Sequence, residues 1–380
     1  MRVLMLHNRY RAHGGEERAV ADLCALLSSR GHEVELLERS SAGVARVRAA
    51  RSMLSGGVEA DAVAVAVKRM RAEIVHAHNL HPLFGWRALA AARGAGARTV
   101  LHLHNFRLFC AIAVAYRDGA PCYRCRGRNT MPGLRLRCRG SLPEAAVYAA
   151  GLHRQQPQLF EHSDRFVLVS GAHGARLREL GLPGGKAVTL PNFVPADRFA
   201  PRSAAGDGRY ALVAGRLVEE KGFDTAILAA RAAGVPLVVA GEGPDEPRLR
   251  QLAAGGEIRF AGLLTSEALA EVRRDAAIVL VPSRCEESSS YSVLDAFADG
   301  IPVLASNRGA LPELVGEGAV LDAEDAGAWP EALKTLWEDG PRRRDLGEQV
   351  LAGARERLGE DRYYDGLMAL YTQLRGGGRC

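Results

Sequence analysis

Lysine is scarce in this chain. Only Lys68, Lys186, Lys221 and Lys334 occur, and every other basic residue is arginine. The formal charge of +6 and isoelectric point near 9.0 are mild. They suit an anionic substrate or an anionic membrane face better than a nucleic-acid groove. Aromatic residues make up 6% of the chain, which argues against base-stacking platforms. No nucleic-acid partner is therefore expected. No stretch reaches the roughly 20 apolar residues that a spanning helix needs. The opening MRVLMLHNRY carries an apolar run too short for a secretory h-region, and His7, Asn8 and Arg9 follow it. The expectation is a cytoplasmic protein, with peripheral contact to an anionic membrane left open. A D-x-D cluster for a divalent ion is also missing.

What is present is ordinary for a globular enzyme: 380 residues, 47% hydrophobic and 25% charged, enough for two domains. Short apolar runs alternate with amphipathic ones. Strands are expected at Val3–Leu6, Glu33–Leu37, Glu73–His78, Thr99–His104 and Arg165–Ser170. Helices are expected at Glu16–Arg30, Trp86–Arg93 and Ala172–Leu180. The Pro/Gly/Ala/Ser-rich stretch Pro191–Tyr210 reads as a linker. After it the rhythm restarts, with strands at Tyr210–Ala214, Pro236–Ala240, Ile258–Phe260, Ile278–Val281 and Pro302–Ala305. The reading is α/β, with two Rossmann-like doubly wound domains facing a central cleft. The first covers 1–193 with a Cys-rich insertion at 105–141. The second covers 194–360, and 361–380 forms a terminal helix and frayed tail that packs back on the first domain.

Several strand ends carry chemistry. HGGEERAV, from His13 to Val20, places Gly14 and Gly15 where a strand turns into a helix. This is either a tight turn or a site where backbone N–H groups meet a phosphate. GRLVEEKGFD brings Arg216 and Lys221 close to Gly215 and a helix start, where two cations neutralise a diphosphate or decorate a solvated loop. GEGPDEPRL offers Gly241 and Glu242 at another strand end. In PSRCEESSSYSVLDAFADGIPV, Ser288, Ser289 and Ser290 can cap a helix and present backbone N–H groups. Glu287 and Asp295 can accept from vicinal hydroxyls, or serve as a cap and a structural acid.

This last segment resembles the E-x7-E motif of family-four retaining glycosyltransferases of the GT-B fold, as Glu287 followed by Asp295. Its P-S-x-x-E-E lead-in spans Pro282–Glu287 and its A-x-x-x-G-x-P-V tail Ala296–Val303. The early Gly14-Gly15 turn, the G-R-x-x-x-x-K-G pattern at Gly215–Gly222 and LPELV at Leu311–Val315 extend the resemblance over nearly the whole chain. The resemblance implies a nucleoside diphosphate sugar donor, a hydroxyl acceptor and no catalytic cofactor or donor-site metal. It implies that Arg216 and Lys221 bind the diphosphate, Glu287 the donor sugar and Asp295 the ribose diol. Gly15 would lie by the phosphate or acceptor, and His104 by the donor sugar. In the family's scheme the acceptor attacks from the leaving group's face and the leaving phosphate takes its proton. Two positions depart from the pattern: the second acid is Asp, and Ser289-Ser290 replace the usual Phe-Gly. A nucleotide-sugar 2-epimerase, a glycan phosphorylase and a nucleic-acid binder using the Cys/Arg loop are the alternatives.

His104–Ser141 breaks the αβ rhythm. Cys110, Cys122, Cys125 and Cys138 are spaced C-x11-C-x2-C-x12-C. A structural zinc held by four thiolates, reduced structural thiols, and disulfide or redox chemistry all fit this spacing. The arginines from Arg117 to Arg139 are either a solvated face or a surface for an anionic acceptor or lipid headgroups.

Overall fold

The computed structural model describes residues 1–10, 14–325 and 327–376. His13 of the first glycine motif and residues 377–380 of the tail lie outside them. Among the described residues no helix is long and apolar enough to cross a membrane.

The chain divides into two compact units. One comprises Met1–Ala115, Cys122–Asn192 and the chain from Tyr363 onward; the other comprises Tyr116–Pro121 and Phe193–Arg362. In order, the first stretch runs β1 (Arg2–Arg9), α1 (Gly15–Ser29), β2 (Glu33–Ser40), α2 (Arg46–Ser55), α3 (Ala60–Met70), β3 (Ile74–Ala77), α4 (Gly85–Gly94) and β4 (Arg98–Leu103). A small hairpin, β5 (Tyr116–Arg117) and β6 (Ala120–Pro121), follows and groups with the second unit. Then come α5 (Met131–Arg135), α6 (Leu142–His162), β7 (Arg165–Leu168), α7 (Gly171–Leu180) and β8 (Ala187–Thr189).

The first unit's sheet has the order β2-β1-β3-β4-β7-β8, every pair parallel. Alternation along each strand sends successive side chains to opposite faces. Leu4, Leu6, Val75, Ala77, Leu101 and Leu103 share one apolar core. The opposite face therefore receives His7, His76, His78 and His102, all buried.

The second unit contains β9 (Tyr210–Ala214), α8 (Phe223–Ala233), β10 (Leu237–Ala240), α9 (Glu246–Leu252), β11 (Ile258–Gly262), α10 (Ser266–Arg274) and β12 (Ala276–Val281). It continues through α11 (Tyr291–Ala298), β13 (Val303–Ser306), α12 (Leu311–Val315), β14 (Val320–Leu321), α13 (Ala328–Glu338) and α14 (Gly340–Leu358). Helix α15 (Glu360–Gly376) ends the described chain, and its residues from Tyr363 belong to the first unit. The second sheet has the order β11-β10-β9-β12-β13-β14, again parallel. Both of its faces are covered. Ala211, Val213, Val239 and Leu280 enter one core, while Leu212, Val238, Val279 and Val281 enter the other. That explains why AAIVLV of β12 is apolar at every position.

Strand order fixes where a ligand can bind. Crossovers leave β9 and β12 in opposite directions, as they leave β1 and β3 in the first unit, and such switch points open a crevice at the strands' carboxyl ends. Tight backbone approach shapes the crevice in the second unit. Gly241 has φ 132°, and a Cβ there would lie 1.9 Å from the Gly215 carbonyl oxygen. Gly234 also has positive φ, but a Cβ there meets nothing within 4 Å.

Gly234→Ala should therefore cost only the left-handed backbone term of about 1–2 kcal/mol. Gly241→Ala should exceed it by about 2 kcal/mol or more, because backbone must also move. Urea midpoints of the two variants check this, and equal midpoints would show that the Gly215 loop yields freely.

Candidate active site

In the second unit, the loop after β9 and the loop after β12 meet at the switch point. A single 3-10 turn, Glu219–Lys221, leads to Gly222, whose φ of 67° ends the turn and starts α8. The two loops are stitched by backbone: the N–H groups of Arg284 and Cys285 both donate to the Glu220 carbonyl, at 2.9 and 3.2 Å. This brings Lys221 Nζ to 2.6 Å from Glu287 Oε1, and Ser283 donates to the same oxygen at 2.5 Å. The Glu287 carbonyl accepts from Ala310 N at 2.8 Å, which anchors the loop to the segment after β13. Burial alone would lower the Lys221 pKa, but the Glu287 carboxylate outweighs it and holds the ammonium above its ordinary value. Nearby Cys285 is pushed up to about 12 by burial and by Glu287, so it is a neutral thiol.

The other expected donor residues spread around this pair. Arg216 is 58% exposed and reaches Glu220 at only 4.0 Å, which leaves its guanidinium weakly held. Ser290 is the serine of the run that caps α11, accepting from Val293 N at 3.4 Å. Ser288 and Ser289 precede it, half-buried. Asp295 sits one turn into α11, where Arg273 of α10 approaches it at 3.4 Å while binding Asp299 at 2.5 Å. Sequence reasoning missed this arginine; its partner acids are one helical turn apart, the spacing at which one guanidinium bridges both. Gly215 and Gly241 form the floor of the crevice, and the carbonyl of exposed Glu242 accepts from Leu217 N at 2.9 Å.

The first unit gathers histidines. Strand β1 contains a His-Asn pair near its end, His7-Asn8, and β3 and β4 each run into one, His78-Asn79 and His104-Asn105. His104 lies one residue beyond β4, stacked on His102 with centroids 4.2 Å apart. His78 Nδ1 lies 2.8 Å from His104 Nε2, and His76 bridges Tyr371 and His102 at 2.5 and 3.2 Å. Burial pushes the pKa of His76, His81 and His104 down to about 3, and those of His78 and His102 well below the ordinary value. The imidazoles are therefore neutral at physiological pH. A cavity of about 30 Å³ adjoins them, lined also by Tyr10, Glu16, Asn105 and Arg107. Glu16 accepts there from Tyr10 and Asn105, at 2.9 and 3.1 Å, and burial raises its pKa. The repeated H-x-H-N of residues 76–79 and 102–105 was the legible signal for this cluster, of which only His104 was singled out.

Gly14 caps α1 in extended backbone, and its N–H donates to Glu17 Oε2 at 2.9 Å. The Gly14-Gly15 turn is thus a strand-to-helix turn whose first amide is already satisfied. Cys110, Cys122, Cys125 and Cys138 are half-buried thiols that are not joined in disulfides. Among the described residues, the ligand group whose atoms lie within 4.8 Å of one another is His76, His78 and His102, not the cysteines.

Comparison with known proteins adds family and fold. The model of the Glycosyltransferase Family 4 matches residues 13–198, and that of Glycosyl transferases group 1 matches residues 196–351. A D-inositol 3-phosphate glycosyltransferase of Mycobacterium sp. (strain KMS) is 31% identical over 229 residues, 53% of this chain and 50% of that protein. The match thus spans about half the length of that curated relative. Sucrose-phosphate synthase from Thermosynechococcus elongatus superposes with a TM-score of 0.73 at 17% identity, covering 98% of each chain. Anabaena HepE, solved in complex with UDP-glucose, gives 0.66 at 15% identity, covering 98% of this chain and 100% of that one. These likenesses show the fold, GT-B.

The buried neutral histidines make stability depend on acid. Each has a native pKa below its unfolded value near 6.5, so the unfolded state binds the extra protons. Stability should be complete above pH 6.5 and fall as pH drops toward 3, by up to about 1.4 kcal/mol per pH unit for each of His76 and His81. Denaturation midpoints from pH 7.5 to 4 check the slope. In His76→Gln the slope should be shallower, and an unchanged slope would assign the loss to other groups.

Proposed function

The chain belongs to the group 1, family 4 glycosyltransferases, and from that premise we propose that it transfers a sugar from a nucleoside diphosphate sugar to a hydroxyl acceptor, with retention at the anomeric carbon. The observation that carries the reading is the Lys221–Glu287–Ser283 cluster at the switch point of the second sheet. It is one fixed cation and one fixed carboxylate where a Rossmann-like sheet binds its ligand. HepE's complex with UDP-glucose supports a donor of the nucleoside diphosphate class.

The chemistry follows from donor and acceptor counting. An ammonium has three N–H donors, and the Glu287 contact takes one. The others, with the weakly held Arg216 guanidinium, serve the diphosphate. Both contacts to Glu287 fall on Oε1, so Oε2 accepts from hydroxyls of the donor sugar. Asp295, held from behind by Arg273, accepts from the ribose diol. As the bond from the anomeric carbon to the phosphate oxygen breaks, negative charge grows on the diphosphate and Lys221 and Arg216 stabilise it. The acceptor oxygen bonds to the anomeric carbon on the same face, and its proton passes to the departing phosphate. His104 stays a neutral hydrogen-bonding group, since burial keeps it from carrying charge.

Lys221→Ala and Arg216→Ala should each lower kcat by about two orders of magnitude or more, as loss of a transition-state charge partner does. Glu287→Gln should depress kcat more than it raises KM, and Asp295→Asn the reverse, because a ribose contact is mostly uniform binding. Near-normal turnover in both cation variants would reject the diphosphate role. Transfer should also persist after brief EDTA treatment. Complete loss restored by magnesium or manganese would mean that the donor is neutralised by an ion instead.

A further inference from the structure

Two neighbouring strands of the first sheet deliver histidines to one place. Strands β3 and β4 run parallel, with His76 opposite Val100 and Ala77 opposite Leu101. A period of two then puts His76, His78, Val100 and His102 on one face and Ala77 and Leu101 on the other. The second face is ordinary apolar core. On the first, His76, His78 and His102 are 0%, 2% and 3% exposed. Burying three imidazoles side by side costs desolvation that aliphatic residues would not, so the cluster needs partners for its nitrogens.

The rings are arranged as ligands of one ion are. Their centroids lie 5.0, 5.0 and 5.3 Å apart. Imidazoles on one tetrahedral ion with ~2.05 Å metal–nitrogen bonds have centroids about 5.2 Å apart. One nitrogen of each ring lies within 4.8 Å of the others. His76 Nε2 and His102 Nδ1 are 3.2 Å apart, close to the roughly 3.3 Å edge of such a tetrahedron. Small rotations about χ1 and χ2 bring in the third ring. Two rings are also held from behind, as outer partners hold ligating histidines. His76 Nδ1 meets the Tyr371 hydroxyl at 2.5 Å, and His78 Nδ1 meets His104 Nε2 at 2.8 Å. Ring-to-ring hydrogen bonds do not complete the cluster. His78 Nε2 and His102 Nε2 are buried with no hydrogen-bond partner among the described residues. Both residues line the cavity of about 30 Å³, which gives an ion access and room for a further ligand.

We propose that His76, His78 and His102 bind one divalent transition-metal ion of the zinc class, through one imidazole nitrogen each, with water as the fourth ligand. Such ions favour imidazole, and three protein ligands leave a fourth position open. Three neutral ligands do not offset the ion's charge. Glu16 lines the same cavity, and a dication beside its carboxyl favours the carboxylate. The ion ties β3 to β4 directly below His104, which stacks on His102, and through His76 it reaches Tyr371 of α15. It therefore fixes the strand ends of the first unit and leaves the Lys221–Glu287 cluster of the second untouched. The inference does not depend on the identity of the donor or the acceptor.

The test is metal binding by the full chain, free of any purification tag. The protein is dialysed against a strong chelator, returned to chelator-free buffer and titrated with Zn²⁺ or Co²⁺. About one tightly held ion per chain is expected, with a higher unfolding midpoint. The cobalt form should show intense tetrahedral ligand-field bands without thiolate-to-cobalt charge transfer. His78→Gln and His102→Gln should each weaken binding by about 100-fold or more, since loss of an outer partner alone costs up to that much. His153→Gln, an exposed change on α6, should leave binding as it was. If the two glutamine variants do not fold, the cobalt spectrum of the unaltered chain decides. An unaltered chain that retains no ion would overturn the proposal. So would unchanged affinity in both glutamine variants, or a cobalt spectrum with strong thiolate bands, which would place the ion at the cysteines instead.

Discussion

One contact organises the second unit's crevice: Lys221 Nζ on Glu287 Oε1, 2.6 Å apart. Its two residues are 66 positions apart in sequence and come from loops that follow different strands. They meet because β9 and β12 are neighbours in the sheet and because Glu220 accepts from two amides of the opposite loop. Each charge is largely removed from water, with side chains 27% and 11% exposed. Removing either partner would leave the other poorly solvated, a situation that costs about 3–5 kcal/mol when the site is fully buried and less at this exposure. The pair thus holds an ammonium and a carboxylate at one spacing before any ligand arrives. Such preorganisation makes a charge partner effective in a transition state.

The first unit solves the opposite problem. Its histidines line a small cavity without carrying charge, because burial keeps them neutral, and the cation among the lining residues is Arg107. Strand alternation accounts for this: the same period of two that sends Leu101 and Leu103 into the apolar core sends His102 to the other face, with His104 stacked on it. Neutral imidazoles both donate and accept hydrogen bonds, so this face of the first sheet is polar without the histidines being charged.

Much of this was legible in the sequence where local chemistry and global topology agree. The apolar runs gave the central strands to within a few residues, since a strand buried on both faces is mostly apolar. The motif glycines were legible as turns. Gly241, however, is required by a carbonyl that sequence cannot position. Helix α2 escaped notice because RVRAARSMLS buries only Ser52 and Met53, so its apolar stripe is too thin to see. Helix α6 did carry a signal, Ser141 followed by Pro143 and Glu144, and Ser141 does cap it. The Arg273 link to Asp295 and the neutrality of the histidines depend on tertiary packing and burial, which no single motif encodes.

The central claim is that the second unit's crevice takes a nucleoside diphosphate sugar on Lys221 and Glu287. Thermal shift of the full chain against a panel of UDP-, GDP-, ADP- and dTDP-sugars tests it most directly. At one hundred times Kd a ligand adds about 2.7 kcal/mol of apparent stability. At least one donor should raise the midpoint by several degrees, and that rise should be lost in Lys221→Ala while unliganded Lys221→Ala still unfolds cooperatively. A panel with no effect on the unaltered chain, or a full shift retained by Lys221→Ala, would contradict the account.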